Sequence, residues 1–346
     1  MLYFNNDYNE ICHPAVMKKL TEISALQMPG YSEDACCKSS AKLIREKCNA
    51  PDAVVHFLVG GTQTNLTVIA ASLRPHQGVI SADSGHINVH ETGSIEATGH
   101  KVITVPSKDG KVNPALAEEI VKSQSLSMDA EHIVQPKMVY ISNPTEYGTL
   151  YSLAELQALS RMCRANGLYL FVDGARMGYG LAASENDITL ADYAALCDAF
   201  YIGGTKCGTM FGEAVVITNP SIAEDFRYLM KQRGGMLAKG WLLGAQFEAL
   251  FADDLYMKIA EHANVLADKI RSTLKSIGYE LYLPGSTNQI FVTLPDEALE
   301  KLAKDFVFAT WEKADDTHTT VRFCTSWATT PENADALCAA LEDVLG

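Results

Sequence analysis

The sequence "FYIGGTKCGTMFGEAVVI", residues 200–217, places a lysine between two apolar runs of the chain. Two glycines and a threonine precede Lys206, and further glycines separate it from the second apolar run. Burying a charged ammonium is costly, and desolvation lowers the pKa of a lysine and makes it a better nucleophile towards an aldehyde. The competing interpretation is a lysine whose stem lies on apolar surface while its ammonium reaches solvent. The stretch therefore predicts two buried strands with a reactive or a solvated lysine between them.

Strand-like and helix-like segments alternate through most of the chain around this stretch. Residues 152–167 show helical apolar spacing and end at a glycine, and Ser152 with Glu155 resembles a capping box. We predict buried strands at residues 53–59, 78–83, 101–105, 138–142, 168–173, 199–204 and 213–218. This alternation predicts an α/β fold, in which helices cover both faces of a mostly parallel sheet.

The pattern changes after about residue 240. A long helical stretch runs from residue 241 towards 277 and is followed by strand-like runs and a closing helix. These later segments read "YELYLP", "NQIFVTL", "VFATWEK", "TTVRFCTSW" and "ENADALCAALEDVL". We therefore predict an N-terminal arm over residues 1–20, a large domain over 21–240 and a smaller C-terminal α+β domain over 241–346.

The composition excludes several classes of partner and site. The net charge is −14 and the acidic residues are spread along the chain, so we expect no nucleic-acid partner. No stretch is long and apolar enough to span a bilayer, and "MLYFNNDYNE" lacks the regions of a signal peptide, so we expect a cytoplasmic protein. The nine cysteines contain no CxxC pair, which favours reduced thiols over disulfides or a metal site.

A second signal is an aspartate at the end of a predicted strand. In "FVDGAR", Asp173 follows an apolar run and Arg176 lies three residues further on. A carboxylate in this position needs a cationic partner, and the protonated ring nitrogen of pyridoxal phosphate (PLP) would supply one. Capping of the following turn is the alternative explanation.

A third signal is "LVGGTQTNLTVIAASL", in which two glycines, Thr62 and Asn65 lie between a strand and an apolar helix. Backbone N–H groups at a helix start, together with a threonine hydroxyl, suit a phosphate, although a plain helix cap would look the same. "GYGLAA", residues 178–183, fits a dinucleotide pattern, but a carboxylate precedes it, so we expect no NAD or FAD. Since ligands of open α/β sheets bind beyond the carboxyl ends of the strands, the three signals predict one site.

Together these motifs resemble the threonine aldolase and β-eliminating lyase family of fold type I PLP enzymes, nearly from end to end. "GHINVHETG" has the family's step from histidine to glutamate, at His86 and Glu91. The other matching segments are "FNNDYNEICHPAVMKKL", "GGTQTN", "DGAR" and "TTVRFCTSW". The resemblance implies a fold type I large domain and PLP as the cofactor.

The resemblance also implies roles for individual residues. Lys206 would bond covalently to the cofactor aldehyde, Asp173 would pair with the ring nitrogen, and His86 would stack on the ring near the substrate hydroxyl. The residues implied for the cofactor phosphate and its surroundings are Gly61, Thr62, Thr205 and Arg176. The residues implied for binding the substrate are Arg176, Arg322, Asn6 and Glu91.

By the same resemblance, the protein would be an aldolase that cleaves L-threonine, L-allo-threonine or a related β-hydroxy-α-amino acid to glycine and an aldehyde. The first alternative is a PLP-dependent β-eliminating lyase acting on a cysteine-like or tyrosine-like amino acid. The second is a PLP-binding protein without catalytic activity. The family's shared active sites imply a homodimer or homotetramer, in which Lys231, Arg233 or Lys239 would reach a neighbouring site.

Overall fold

The computed structural model describes residues 1–346 and contains twelve strands and fourteen α-helices. The strands are Leu2–Tyr3 (β1), Val54–Leu58 (β2), Gln77–Ala82 (β3), Val102–Val105 (β4), Gln135–Ser142 (β5), Tyr169–Asp173 (β6), Ala199–Gly203 (β7), Glu213–Ile217 (β8), Gln289–Pro295 (β9), Phe306–Val307 (β10), Ala309–Lys313 (β11) and His318–Cys324 (β12). The helices are Pro14–Ile23 (α1), Ala35–Lys47 (α2), Gly61–Ser72 (α3), His86–Val89 (α4), Pro114–Ser125 (α5), Leu153–Ala165 (α6), Met177–Leu181 (α7), Leu190–Leu196 (α8), Pro220–Ala223 (α9), Phe226–Gln232 (α10), Trp241–Phe251 (α11), Leu255–Ser276 (α12), Asp296–Leu302 (α13) and Pro331–Leu345 (α14).

A seven-stranded sheet forms the centre of the molecule, with the strand order β2-β8-β7-β6-β5-β3-β4. All neighbouring strands run parallel except β8, which is antiparallel to both β2 and β7. Each of the seven strands predicted before residue 240 is present, and the capping box of Ser152 and Glu155 opens α6. The prediction of an α/β fold with a mostly parallel sheet is confirmed.

The turn from β7 to β8 places the lysine segment at one edge of this sheet. Gly203, the last residue of β7, pairs with Glu213, the first residue of β8, so the nine residues between them form the connecting loop. Parallel strands present their carboxyl ends on the same side of a sheet. The carboxyl ends of four parallel strands, β3, β5, β6 and β7, therefore converge on this loop. The start of α3 lies at the same edge of the sheet.

The C-terminal part differs in two details from the prediction. The helical stretch from residue 241 is two helices, because the chain breaks between α11 and α12, where Asp254 adopts a left-handed conformation with φ 55°. The predicted strand at "YELYLP" is wrong, since only one isolated bridge forms there, between Leu281 and Val292. The remaining strands form an antiparallel sheet in the order β11-β12-β9, and α14 closes the chain.

One buried hydrophobic cluster extends across the predicted domain boundary at residue 240. The largest buried cluster includes Leu243 in α11 and continues through the first half of α12 to Ala263. Within α12, a separate cluster under the C-terminal sheet takes over at Ala267. The boundaries at residues 20 and 240 remain a prediction, and the packing favours a division within α12. No helix in the structure has the length and apolarity needed to cross a membrane.

The N-terminal arm is held by the C-terminal part of the chain. β1 pairs in parallel with β10, and Phe4 is buried in the cluster beneath the C-terminal sheet. The backbone N–H of Cys324 donates a hydrogen bond of 2.7 Å to the carbonyl oxygen of Phe4. Residues 5–8 therefore cross from the small sheet towards the end of the main sheet.

The two glycines of "GYGLAA" allow α7 to pack closely against residues outside the helix. A Cβ atom on Gly178 would lie 3.0 Å from the Tyr256 ring, and one on Gly180 would lie 2.9 Å from Pro144. Neither glycine precedes the helix as a phosphate-binding turn would require.

Candidate active site

Two adjoining cavities lie where the carboxyl ends of the parallel strands converge. The inner cavity measures about 320 Å³ and the outer one about 600 Å³. Both are lined by Tyr8, His86, Glu146, Arg176 and Lys206, so they form one continuous site. The predicted site residues that line the inner cavity are Gly61, Thr62, His86, Asp173, Arg176, Thr205 and Lys206. The fold thus brings together residues from four distant segments of the sequence.

Lys206 enters this site from a tightly packed loop. A Cβ atom on Gly203 would lie 2.2 Å from the carbonyl oxygen of Ala175, so only glycine allows the two backbones to approach this closely. Tyr179 donates a hydrogen bond of 2.6 Å to the Lys206 carbonyl oxygen and holds the loop. Burial, followed by the nearby Arg176 guanidinium, lowers the pKa of Lys206. The uncharged amine is the nucleophilic form of lysine, and a lowered pKa makes that form easier to reach.

Asp173 lies at the end of β6 and is kept ionised by its hydrogen-bond donors. Burial would raise the pKa of this carboxyl, but the electrostatic effect of nearby His86 and the donated hydrogen bonds outweigh it, and the pKa is lowered. The side-chain donors are Tyr201 at 2.5 Å, Tyr140 at 2.6 Å and Asn65 at 3.0 Å. A buried, ionised carboxylate is thus available to pair with a cationic group in the cavity.

His86 opens α4 after β3 and is oriented by Glu91. Its Nδ1 lies 2.8 Å from Oε1 of Glu91, a carboxylate that also accepts hydrogen bonds from Asn65 and Ser94. The Glu91 side chain has no exposed surface and lines neither cavity. Glu91 therefore lies behind His86, and its predicted part in substrate binding would act through that histidine. Asn65 connects this pair to Asp173.

The start of α3 forms the floor of the inner cavity. Gly60 is the N-cap, and the first helical hydrogen bond runs from the N–H of Thr64 to the Gly60 carbonyl oxygen, at 3.0 Å. The N–H groups of Gly61 and Thr62 precede that bond, as expected at a helix start. A Cβ atom on Gly61 would lie 2.9 Å from the Tyr201 hydroxyl oxygen, so this glycine provides room for Tyr201.

Thr205 lines the inner cavity, and its hydroxyl has two partners within the protein. Its hydroxyl donates to Oε1 of Glu213 at 2.8 Å and accepts from the N–H of Gly212 at 3.0 Å. The hydroxyl of Thr205 is thus directed to Glu213, and its donation to a phosphate remains a prediction. The other oxygen of Glu213 accepts from the Gly204 N–H at 2.9 Å. Burial raises the pKa of Glu213 to about 7.

Arg176 is paired with a carboxylate of the N-terminal arm. Its Nε lies 2.7 Å from Oδ2 of Asp7 and its Nη2 lies 2.9 Å from Oδ1, a two-pronged ion pair. Asn288 donates a further hydrogen bond of 2.9 Å to Asp7. Arg176 lines both cavities, as predicted from its position, but its charge is already balanced.

Arg322 lies in the outer cavity and has only neutral partners. Its Nη1 donates to Oε1 of Gln289 at 3.1 Å, and its Nη2 donates to the carbonyl oxygen of Asn5 at 2.7 Å. The side chain of Asn6 accepts a hydrogen bond from the Tyr8 N–H and lines neither cavity, so its contribution to substrate binding remains a prediction. Tyr8 lines both cavities instead.

Lys231, Arg233 and Lys239 line neither cavity of the chain. The ammonium of Lys231 lies 4.9 Å from the centre of the Tyr31 ring. Their contact with a neighbouring site therefore remains a prediction.

Several residues of the site carry no recognisable motif in the sequence. Tyr201 is in register with Asp173 on the neighbouring strand, since β6 and β7 run parallel with Phe171 opposite Ala199. Because side chains alternate between the two faces of a strand, aligning the two predicted strands could have placed this tyrosine beside the aspartate. Asp7 and Glu146 come from irregular segments, whose positions depend on tertiary packing.

The groups of the inner cavity fit PLP. Lys206 has the lowered pKa needed to react with an aldehyde, and Asp173 is a buried, ionised partner for a ring nitrogen. The free N–H groups at the start of α3 suit a phosphate. The carboxyl of Glu213 would disfavour an anion when ionised, and its pKa of about 7 reduces that charge near neutrality.

Comparisons with known proteins agree with this arrangement. The β-eliminating lyase family profile matches residues 17–297. Low specificity L-threonine aldolases of Pseudomonas aeruginosa and of another Pseudomonas strain are 29% and 30% identical to this chain. Each match covers 99% of the chain, and 98% and 97% of the respective relative.

Comparisons with solved structures agree with the sequence comparisons. Threonine aldolase from Leishmania major superposes with a TM-score of 0.98 at 44% identity, covering 100% of both chains. Aspartate aminotransferase from Thermus thermophilus has a TM-score of 0.72 at 15% identity, covering 100% of this chain and 92% of that one. At that identity the aminotransferase shares the fold alone.

Proposed function

The chain belongs to the β-eliminating lyase family, and on that basis we propose that it is a PLP-dependent carbon–carbon lyase that cleaves L-threonine or L-allo-threonine to glycine and acetaldehyde. The single observation that carries the proposal is the shared inner cavity of Lys206, Asp173, His86 and the start of α3. The relatives that match over almost the whole chain are named threonine aldolases, which supports this substrate class.

The residues that would hold PLP are Lys206, Asp173 and the N–H groups at the start of α3. Bound PLP would supply an electron-accepting ring, which takes up the electrons of the breaking Cα–Cβ bond. Asp173 keeps the negative charge that favours a protonated ring nitrogen. Tyr140, Tyr201 and Asn65 keep that carboxylate in place through their hydrogen bonds.

Arg322 is the guanidinium that we assign to the substrate carboxylate. Arg176 is neutralised by Asp7, whereas both recorded partners of Arg322 are neutral oxygens. Its uncompensated charge in the outer cavity can attract an anionic group. Holding the carboxylate there would orient the substrate, and orientation decides which bond at Cα breaks.

His86 is the group that we assign to accept the proton of the β-hydroxyl. Its Nδ1 is occupied by Glu91, so Nε2 is the ring nitrogen that remains for the cavity. With the Nδ1 proton donated to a carboxylate, Nε2 carries the lone pair and can act as a base. Glu91 thus positions His86 without contacting the substrate.

The test is acetaldehyde release from L-threonine and from L-allo-threonine by the purified protein supplied with PLP. We expect release from at least one substrate, and we expect Lys206→Ala to abolish it. Lys101→Ala, at an exposed lysine outside the site, is the matched control and should retain full activity. Titration of the apoprotein with PLP, followed by absorbance, should show that Lys206→Ala loses the covalent form.

Two results would contradict the proposal. Release of pyruvate and ammonia from a cysteine-like or tyrosine-like amino acid, without acetaldehyde from either threonine, would indicate a β-eliminating lyase. Activity that is unchanged in Lys206→Ala would show that this lysine takes no part in the reaction.

A further inference from the structure

Glu146 is a site residue that the proposed mechanism does not use. It follows β5 and lines both cavities, together with His86 and Lys206. The groups assigned to the cofactor line the inner cavity, and Arg322 lines the outer one. Glu146 lines both, so it lies where the two cavities meet.

The two oxygens of Glu146 have different surroundings. Oε1 accepts a hydrogen bond of 2.8 Å from the backbone N–H of His86 and one of 2.6 Å from the hydroxyl of Ser142. Oε2 is buried and has no hydrogen-bond partner. A buried polar atom without a partner is costly, and at a cavity wall a bound molecule can supply the missing partner.

The surroundings of Glu146 favour its neutral form. Burial and the nearby Asp173 carboxylate raise the pKa of Glu146, although the hydrogen bonds from Ser142 and His86 oppose them. Titratable and charged groups surround it on every side. They are Tyr140 on β5, Asp173 on β6, Tyr147 next to it in the chain, Tyr151 before α6, His86 on α4, and Arg176 and Lys206 in the same cavity. No cation pairs directly with the Glu146 carboxyl.

The position of the acid proton follows from the hydrogen bonds. Because Oε1 already accepts two donors, the proton of the neutral carboxyl belongs on Oε2. Oε2 is then a hydrogen-bond donor that lacks an acceptor. The substrate class proposed above contains an oxygen that needs a donor during the reaction, namely the β-oxygen that becomes the aldehyde carbonyl.

We propose that Glu146 donates a hydrogen bond from Oε2 to the β-oxygen of the substrate while His86 accepts the β-hydroxyl proton. As that proton moves to Nε2 of His86, the O–H electrons form the carbonyl bond and the Cα–Cβ electrons pass to the glycine fragment. Glu146 keeps its own proton and stabilises the negative charge that develops on the oxygen. The glycine fragment then takes up one proton at Cα and His86 releases one, so that the overall reaction is balanced.

This inference rests on the proposed aldolase function, and two substitutions test it. Glu146→Gln keeps an acceptor at Oε1 and a permanent N–H donor in place of Oε2, so we expect kcat within about threefold of the wild type. Glu146→Leu removes the donor, and we expect kcat to fall about 100-fold or more, the usual effect of losing one such donor. Glu131→Gln, at an exposed carboxyl outside the site, is the matched control.

The pH dependence of kcat distinguishes a Glu146 that donates a hydrogen bond from one that has only a structural role. Ionisation of Glu146 at high pH removes its proton, so part of the wild-type loss of kcat at high pH should be absent in Glu146→Gln. PLP binding to the apoprotein, followed by absorbance, and binding of glycine to the holoenzyme should be unchanged in both variants, because neither ligand has a β-oxygen. Unchanged binding would also show that the variants are folded.

Three results would overturn the inference in an active wild-type enzyme. Full activity of Glu146→Leu would show that Oε2 makes no contact that matters to the reaction. Loss of activity in Glu146→Gln equal to that in Glu146→Leu would show that the carboxylate acts as a base. Loss of glycine binding in both variants would assign a structural role to Glu146. If the wild type itself released no acetaldehyde, the proposed function would have failed instead.

Discussion

The ion pair between Asp7 and Arg176 fastens the N-terminal arm to the active site, and the substitution Asp7→Asn tests its strength. Asp7 is fully buried and accepts two hydrogen bonds from Arg176 and one from Asn288. The substitution keeps the size of the side chain but removes its charge. The Arg176 guanidinium is then left in a largely buried position without a counter-charge.

The size of the effect follows from the pKa of Asp7. Burial alone would raise it, but Arg176 and Lys206 lower it from 3.8 to about 2. Since one pKa unit corresponds to about 1.4 kcal/mol, ionised Asp7 stabilises the folded protein by about 2 kcal/mol. Breaking a buried pair by removing one partner costs about 3–5 kcal/mol in general. We therefore expect Asp7→Asn to lower the free energy of unfolding by about 2–5 kcal/mol at pH 7.

Urea unfolding of the apoprotein, followed by tryptophan fluorescence, measures this loss. Because the folded-state pKa is depressed, the contribution of Asp7 is complete above a pH of about 4 and is lost only as the pH falls towards about 2. The difference between wild type and Asp7→Asn should therefore stay constant from about pH 5 to pH 8. Glu10→Gln, at an exposed carboxyl of the same arm, should change stability by less than about 0.5 kcal/mol.

A loss below about 1 kcal/mol in Asp7→Asn would refute this reasoning, because the pair would then contribute no more than a surface ion pair. A difference that shrinks between about pH 8 and pH 5 would also refute it, since Asp7 would then titrate well above its ordinary pKa of 3.8.

Three further predictions concern the inner cavity. Tyr201→Phe removes the 2.5 Å hydrogen bond to Asp173, so PLP should bind the apoprotein about tenfold more weakly, as measured by absorbance titration. Gly61→Ala should weaken PLP binding through its 2.9 Å contact with the Tyr201 hydroxyl, and an affinity equal to that of the wild type would contradict the assignment. Glu213 has a pKa raised by burial to about 7, so its ionisation destabilises the folded apoprotein as the pH rises from about 4.5 to 7. Thermal unfolding should therefore show Glu213→Gln gaining stability over the wild type across that range, and a constant difference would contradict this.

Much of the fold and part of the site could be predicted because their signals are local in the sequence. Strands of the main sheet are continuous apolar runs, since both faces of a parallel sheet are buried. Lys206 and Asp173 each follow such a run, and Gly61 opens a helix after another. The convergence of these residues could be inferred without coordinates, because the carboxyl ends of parallel strands lie on one side of a sheet.

Pairing between side chains could not be predicted in the same way. Arg176 was expected to bind a carboxylate, and it does lie in the cavity, but Asp7 already occupies its guanidinium. Glu91 was expected to contact the substrate, yet it lies behind His86 as its hydrogen-bond partner. In both cases the structure shows a hydrogen-bond partner within the protein that the sequence did not reveal.

The sequence by itself therefore determined the layered α/β fold and the positions of Lys206 and Asp173 at strand ends, because apolar runs and the polar residues that end them are read along the chain. Only the tertiary structure decided which charges are compensated. The arm brings Asp7 to Arg176 across 169 residues, and Glu146 reaches the N–H of His86 across 60 residues. Electrostatic pairing depends on distances of a few ångströms between segments far apart in the chain, and those distances exist only once the chain has packed.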